Sequence, residues 1–231
     1  MIKERLEKIA ERIKRAAETC GRNPDEVRLV AVSKTMPKEN LVQAVEAGVD
    51  ILGENYVQEA RDKFNDLYTL PVAWHFIGHL QSNKAKYVVK IFDLIHSVDS
   101  LKLAREINKQ AKKINKIQDI LIQVNISEES TKSGTQAGET LEIVQNISQL
   151  ENVAVKGLMT MPPFFNAPER VQPFFKALGE LHNQIKAENI PNVSMDELSM
   201  GMTGDFEVAI QEGATLVRIG TAIFGERNTS R

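Results

Sequence analysis

Short apolar stretches alternate with helical patterns along this 231-residue chain, and that alternation restricts its fold more than any other feature. The first stretch, residues 27–34 (Val-Arg-Leu-Val-Ala-Val-Ser-Lys), is dominated by Val, Leu and Ala, as suits a strand buried on both faces. Strand-like stretches recur at 49–54, 72–78, 93–99, 119–125, 155–160, 197–202 and 216–220. Between them lie helical patterns near 56–68, 82–91, 100–115, 137–149, 168–188 and 205–212. A helix is predicted over 2–20, where Ile2, Leu6, Ile9, Ile13 and Ala17 recur at helical spacing and Gly21 is the stop. Pro37 opens a further helix that Gly48 ends. Such alternation implies a parallel sheet with right-handed crossovers. About eight units in one domain of this length match an α/β fold of the closed (β/α)8 TIM-barrel type, spanning 1–231 as a single domain. A doubly wound open sheet is the alternative, weakened because no Gly-rich dinucleotide fingerprint follows the first strand.

Net charge is −2, which gives no support to nucleic-acid or anionic-membrane binding by bulk charge. Cys20 is the single cysteine, so intramolecular disulfides and cysteine metal clusters are excluded. The first residues, Met-Ile-Lys-Glu-Arg-Leu, contain no apolar signal core, and no stretch is long enough to span a bilayer. These features predict a cytoplasmic protein.

In a barrel the functional face lies at the carboxyl ends of the strands. The first strand delivers Lys34 there. An amine partly desolvated at such a place is a nucleophile able to form a Schiff base with an aldehyde, of which pyridoxal phosphate (PLP) is the commonest as a cofactor. A lysine that leans out into water is the bland reading. The other ends are polar or Gly-rich: Gly53-Glu54-Asn55, His75 with Gly78 and His79, His96 and Asp99, Asn125, Met159-Thr160, Ser199-Met200-Gly201, and Arg218 with Gly220-Thr221. Barrels often bind phosphate with the loops after strands seven and eight. Here these read Leu198-Ser-Met-Gly-Met-Thr-Gly-Asp205 and Val217-Arg-Ile-Gly-Thr-Ala222, with small residues and hydroxyls that suit an anion. The alternative is a pair of ordinary turns, with Thr203 or Asp205 as helix cap. Arg218 lies inside an apolar strand and needs a partner. Either it pairs with an acid such as Glu54 or Asp196, or it donates to a ring nitrogen of a cofactor, which it would keep unprotonated.

The segments Ala31–Thr35 (AVSKT), Gly53–Glu59 (GENYVQE), Trp74–Lys84 (WHFIGHLQSNK), Ser97–Ser100 (SVDS), Gly157–Met161 (GLMTM), Leu198–Met202 (LSMGM) and Val217–Gly225 (VRIGTAIFG) together resemble the pyridoxal phosphate homeostasis protein family, also called YggS or PROSC-type proteins. The likeness runs in order over nearly the whole chain. It implies a barrel of the alanine-racemase amino-terminal type with PLP on Lys34 as a Schiff base. It implies Arg218 at the pyridine nitrogen, Asn55 near the ring, and Ser199, Gly201, Gly220 and Thr221 at the phosphate. His79, Met159 and Met200 are implied as neighbouring wall residues. The implied function is buffering or delivery of PLP, with apo PLP-dependent enzymes as recipients and no strong catalytic turnover.

A racemase-like PLP enzyme acting on amino acids is the competing expectation. In alanine racemases the second base is a tyrosine from a further domain. This chain ends at Arg231, soon after the eighth strand pattern, and none of Tyr56, Tyr68 and Tyr87 is obviously placed to serve. A class I aldolase, with a Schiff-base lysine but no resident chromophore, is third. A complete barrel also predicts a monomer. Lys132, in the polar segment Ser127–Gly134, is a further candidate to receive or relay PLP at the barrel mouth.

Overall fold

A computed structural model describes residues 1–127, 133–163, 165 and 167–225. Lys132 lies outside the described residues. The strands are β1 (Arg28–Val32), β2 (Ile51–Glu54), β3 (Ala73–Phe76), β4 (Leu94–Val98), β5 (Gln118–Asn125), β6 (Thr135–Gln136), β7 (Val153–Met159), β8 (Val193–Met202) and β9 (Leu216–Ile219). All pairings are parallel. The sheet order β4-β3-β2-β1-β9-β8-β7-β5, with a further β4–β5 pairing, closes eight strands into a barrel. The predicted alternation therefore holds, and the open-sheet alternative does not. The two-residue β6 was not predicted; it pairs outside the ring and, among the described residues, with β5 alone.

Around the strands lie α1 (Ile2–Thr19), α2 (Lys38–Glu46), α3 (Val57–Leu67), α4 (Ala85–Ile91), α5 (Leu101–Lys112), α6 (Thr140–Ile147), α7 (Gln172–Ala187), α8 (Phe206–Gln211) and α9 (Thr221–Phe224). Helix α1 has no strand before it. It closes against the last units: Arg12 pairs with Glu207 at 2.6 Å and covers the Phe206 ring at 4.6 Å. Arg5 donates to the Ile223 carbonyl at 3.2 Å.

Strand alternation divides the core in two. Ala31, Leu52, Phe76, Ile95, Ile122 and Val217 face the helices, where Phe76 meets Phe92 edge-on at 5.2 Å. Full burial of such a ring contributes about 1.5–3 kcal/mol. Val30, Ile51, Leu94, Leu121, Met159 and Leu216 face inward and plug the barrel. The inward parity of β1 continues from Val30 through Val32 to Lys34, so whatever stands above the plug is reached from Lys34.

Candidate functional site

Above the plug, at the carboxyl ends of the strands, lies a cavity of about 310 Å³. This is at the lower end of the roughly 300–1,000 Å³ typical of small-molecule sites. Val32, Lys34, Asn55, Ile77, Met161, Phe165, Met202, Thr203, Gly204, Asp205, Arg218, Gly220 and Thr221 line it. Of the residues singled out from the sequence, the structure thus brings Lys34, Asn55, Thr203, Asp205, Arg218, Gly220 and Thr221 together.

Lys34 does not end the first strand, as the sequence reading has it. β1 stops at Val32, and the half-buried Lys34 stands in the following turn. The Ser33 amide still donates to the Gly53 carbonyl at 3.0 Å, but Thr35 then takes φ 64° and turns the chain away. Asn55 follows β2. Gly78 allows the chain after β3 to approach it, because a Cβ there would lie 2.1 Å from the Asn55 carbonyl oxygen. The Asn55 side-chain Oδ1 is buried and has no hydrogen-bond partner among the described residues. It is an acceptor awaiting a donor.

Arg218 is nearly inaccessible, in the middle of β9. Neither acid considered from the sequence pairs with it: Glu54 binds Lys63 at 2.7 Å, and Asp196 is exposed. Its Nη1 donates to Ser199 Oγ at 2.6 Å and its Nη2 to the Thr160 carbonyl at 2.8 Å. These bonds use part of a five-donor fork. Burial lowers its pKa to about 10, partly opposed by the Asp205 charge, so the guanidinium stays cationic at neutral pH.

Beneath Arg218 a neutral relay crosses the barrel interior. Ser199 Oγ meets His96 Nδ1 at 2.9 Å, and His96 Nε2 meets His75 Nδ1 at 2.9 Å. Burial, and secondarily the Arg28 charge, pushes the pKa of His75 down to about 3. Burial holds His96 well below the ordinary histidine range as well, helped by the nearby positive groups. Both rings are neutral. Arg218 can only donate, so the relay is satisfied when Ser199 passes its proton's bond to His96 Nδ1 and His96 Nε2–H donates to His75.

Several implied wall and phosphate residues stand elsewhere. Ser199 lies below the lining, its hydroxyl engaged by Arg218 and His96. Gly201 also lies outside it. Its φ of +89° and its contact with α8, where a Cβ would sit 2.6 Å from Ala209 Cβ, account for the glycine. Met159 belongs to the plug, Met200 faces the helices, and His79 is exposed. Asp205 occupies the cap position of α8, but its side chain bonds no helix amide. Its Oδ1 instead accepts from the Met202 amide at 2.6 Å, and the carboxylate lines the cavity. Burial raises its pKa. The apolar wall of Met161 and Phe165 was missed. So was the functional reading of His75 and His96, whose inward parity was open to inspection.

Over residues 5–228 the chain matches the family described as "Alanine racemase, N-terminal domain". The pyridoxal phosphate homeostasis protein of Aquifex aeolicus (strain VF5) is 47% identical over 224 residues, covering 97% of each chain. The structure of PipY from Synechococcus elongatus PCC7942 with PLP bound has a TM-score of 0.84 at 34% identity, over 97% of this chain and 100% of that one. The alanine racemase of Clostridium difficile 630 has a TM-score of 0.70 at 16% identity, over 99% of this chain and 57% of that one, a likeness of fold alone.

Proposed function

We propose, from the premise that this chain belongs to the pyridoxal phosphate homeostasis protein family, that it binds pyridoxal 5′-phosphate in this cavity through a reversible Schiff base to Lys34 and thereby buffers or delivers the cofactor. The observation that carries the reading is the donor set. One cavity presents an amine at Lys34, a buried cation at Arg218, an unpartnered acceptor at Asn55, and the Thr203 and Thr221 hydroxyls 3.4 Å apart. PLP offers an aldehyde, a ring nitrogen, a ring hydroxyl and a phosphate, so the residues fit it group for group. When bound, it supplies an electrophilic aldehyde and a ring able to accept electrons.

The chain's own residues then divide the work. Lys34 holds the aldehyde carbon. Arg218, unable to accept a proton, faces the ring nitrogen and keeps it unprotonated, which restrains electron withdrawal. Asn55 accepts at the ring. Thr203, Thr221 and the backbone at Gly204 and Gly220 hold the phosphate. Ser199 acts on the ring through Arg218. Charge-assisted hydrogen bonds contribute about 1.5–3 kcal/mol each. Several of them offset an association cost of about 4 kcal/mol or more, and the reversible bond adds retention.

Apo PLP-dependent enzymes are the proposed recipients, and the protein is proposed to act as a cytoplasmic monomer. In support of the soluble setting, no described helix is long and apolar enough to cross a membrane. A racemase-like activity needs a second base. No tyrosine or histidine is among the described lining residues; Asp205 is the titratable acid there, and it is bonded to the Met202 amide.

The test is spectroscopic. Protein mixed with PLP is expected to develop a visible imine band and, after borohydride reduction, to carry the cofactor mass on the Lys34 peptide. Lys34→Ala abolishes both. A colourless, unreduced protein overturns the reading. Exchange of an amino acid's α-proton at enzymatic rates would turn the assignment to the racemase-like alternative. Transfer to an apo-enzyme in the presence of a free-PLP trap, compared with transfer through bulk solution, separates delivery from buffering.

A further inference from the structure

The turn that carries Lys34 is gripped from outside the barrel by charges that the proposed function does not use. Glu54, at the end of β2, is fully buried, and Lys63 of α3 nearly so. Lys63 Nζ reaches Glu54 Oε1 at 2.7 Å and Glu59 Oε1, one helical turn away, at 2.6 Å. Both residues that flank Lys34 are tied into this cluster. The Ser33 carbonyl accepts from Lys63 Nζ at 2.7 Å, and Ser33 Oγ donates to Glu54 Oε1 at 2.7 Å. The Thr35 amide donates to Glu59 Oε1 at 2.5 Å.

Two physical points make this more than packing. A buried ion pair contributes little net stability compared with apolar residues of the same volume, so its presence calls for another use. Thr35 is β-branched and holds φ 64°, a conformation that persists only where its surroundings over-determine it. The bonds to Ser33 and Thr35 are such surroundings, and the residue between them is Lys34.

We propose that Glu54, Lys63 and Glu59 form a clasp whose role is to aim Lys34 at the aldehyde of PLP, as positioning residues for the Schiff base. The inference rests on the reading that Lys34 bonds the cofactor. In that step the unprotonated amine adds to the aldehyde carbon, a carbon–nitrogen double bond forms, and the carbonyl oxygen departs as water with both amine hydrogens. Releasing the Thr35 amide lets the turn relax, and the equilibrium shifts toward free amine and aldehyde. Non-covalent contacts of PLP with Arg218 and the threonines are untouched.

The test uses Glu59→Ala, which removes the tie to Thr35 at a partly exposed site and leaves Lys63 on Glu54. It is made in the full chain with and without Lys34→Ala. With Lys34 present, PLP affinity and the borohydride-reducible fraction are expected to fall about tenfold, the loss of one charge-assisted bond. In the Lys34→Ala background the same change is expected to alter PLP affinity by less than about twofold, because the coupling runs through Lys34. Glu59→Gln, which keeps the acceptor for Thr35, restores most of the loss. Equal losses in both backgrounds show a general structural role and overturn the clasp, as does an unchanged reducible fraction in Glu59→Ala. Absence of a reducible bond in the unaltered protein overturns the premise itself, before any clasp variant is read.

Discussion

Two basic residues of the cavity, Lys34 and Arg218, are held in opposite ways. The Lys34 turn is gripped through its backbone, by full charges lying between the barrel and α3. Arg218 is gripped through its own guanidinium, by a hydroxyl and a carbonyl inside the barrel, and two neutral imidazoles stand in line behind that hydroxyl. The difference follows from position. Lys34 lies past the end of a strand, where no ladder fixes the chain, so the backbone itself needs partners. Arg218 lies within β9, with its backbone already fixed, so the side chain needs them. A residue proposed to make and break a covalent bond is fixed at its base; one proposed to set a fixed field is fixed at its tip.

Removing one member from each holder separates the two designs. Lys63→Met leaves two carboxylates around an apolar side chain, one of them fully buried, and is expected to cost about 3–5 kcal/mol of unfolding free energy. His96→Leu leaves His75 Nδ1 without its partner but buries no new charge, and is expected to cost about 1–3 kcal/mol. Denaturant unfolding of both variants measures the difference. A larger loss for His96→Leu would show that the interior relay, not the clasp, is the costlier polar feature.

Acid distinguishes the same two regions by sign. His75 and His96 have folded pKa values depressed below the ordinary 6.5, His75 to about 3. The unfolded chain therefore binds more protons, and their stabilisation, present above pH 6.5, is lost as pH falls from 6.5 toward 3. Well below 6.5 each histidine contributes a slope of about 1.4 kcal/mol per pH unit. Glu54 works the other way: burial raises its folded pKa above 4.5, so its share of stability grows as pH falls toward the unfolded value. The difference between the unaltered protein and His96→Leu isolates the relay. Unfolding curves at pH 7, 6 and 5 are expected to show the variant losing less stability per unit. Parallel pH profiles would mean that His96 titrates alike in the folded and unfolded chain, with no depression of its pKa.

The unequal legibility of these regions in the sequence has the same origin. Alternation of apolar strands with helices is a local signal, and it yielded the barrel and every strand of the ring to within a few residues. Lys34 and Arg218 stood out because a charged residue in or beside an apolar strand is costly. The partners did not. Lys63 reads as an ordinary solvated helix lysine four residues after Glu59, and only the closed sheet brings Ser33 of one unit against α3 of the next. His96 and Ser199 are 103 residues apart, and their meeting depends on which face of each strand turns inward. A one-residue error in strand phase reverses that face. The β7–β8 and β8–β9 pairings do shift register, and sequence patterning carried no sign of it. That shift leaves Gly201 outside the lining and brings Met202 into it.

Asp205 is the smallest and sharpest probe of the contrast. In the clasp the acids touch their cation, whereas Asp205 acts on Arg218 by charge alone while its Oδ1 holds the Met202 amide. A carboxylate on the lining opposes an arriving phosphate. Burial raises its pKa, so at neutral pH its charge also works against the folded state. Asp205→Asn keeps an oxygen for the Met202 amide and removes the charge. Affinity for PLP, and for inorganic phosphate as a minimal probe, is therefore expected to rise about two- to fivefold, less than about 1 kcal/mol for a charge partly screened at a cavity mouth, with no loss of unfolding free energy. Equilibrium dialysis at two salt concentrations checks it, since the gain should shrink at high salt. A fall in affinity would instead make Asp205 a ligand-holding residue. The proposed phosphate position would then move away from the turn between β8 and α8, toward Gly220 and Thr221.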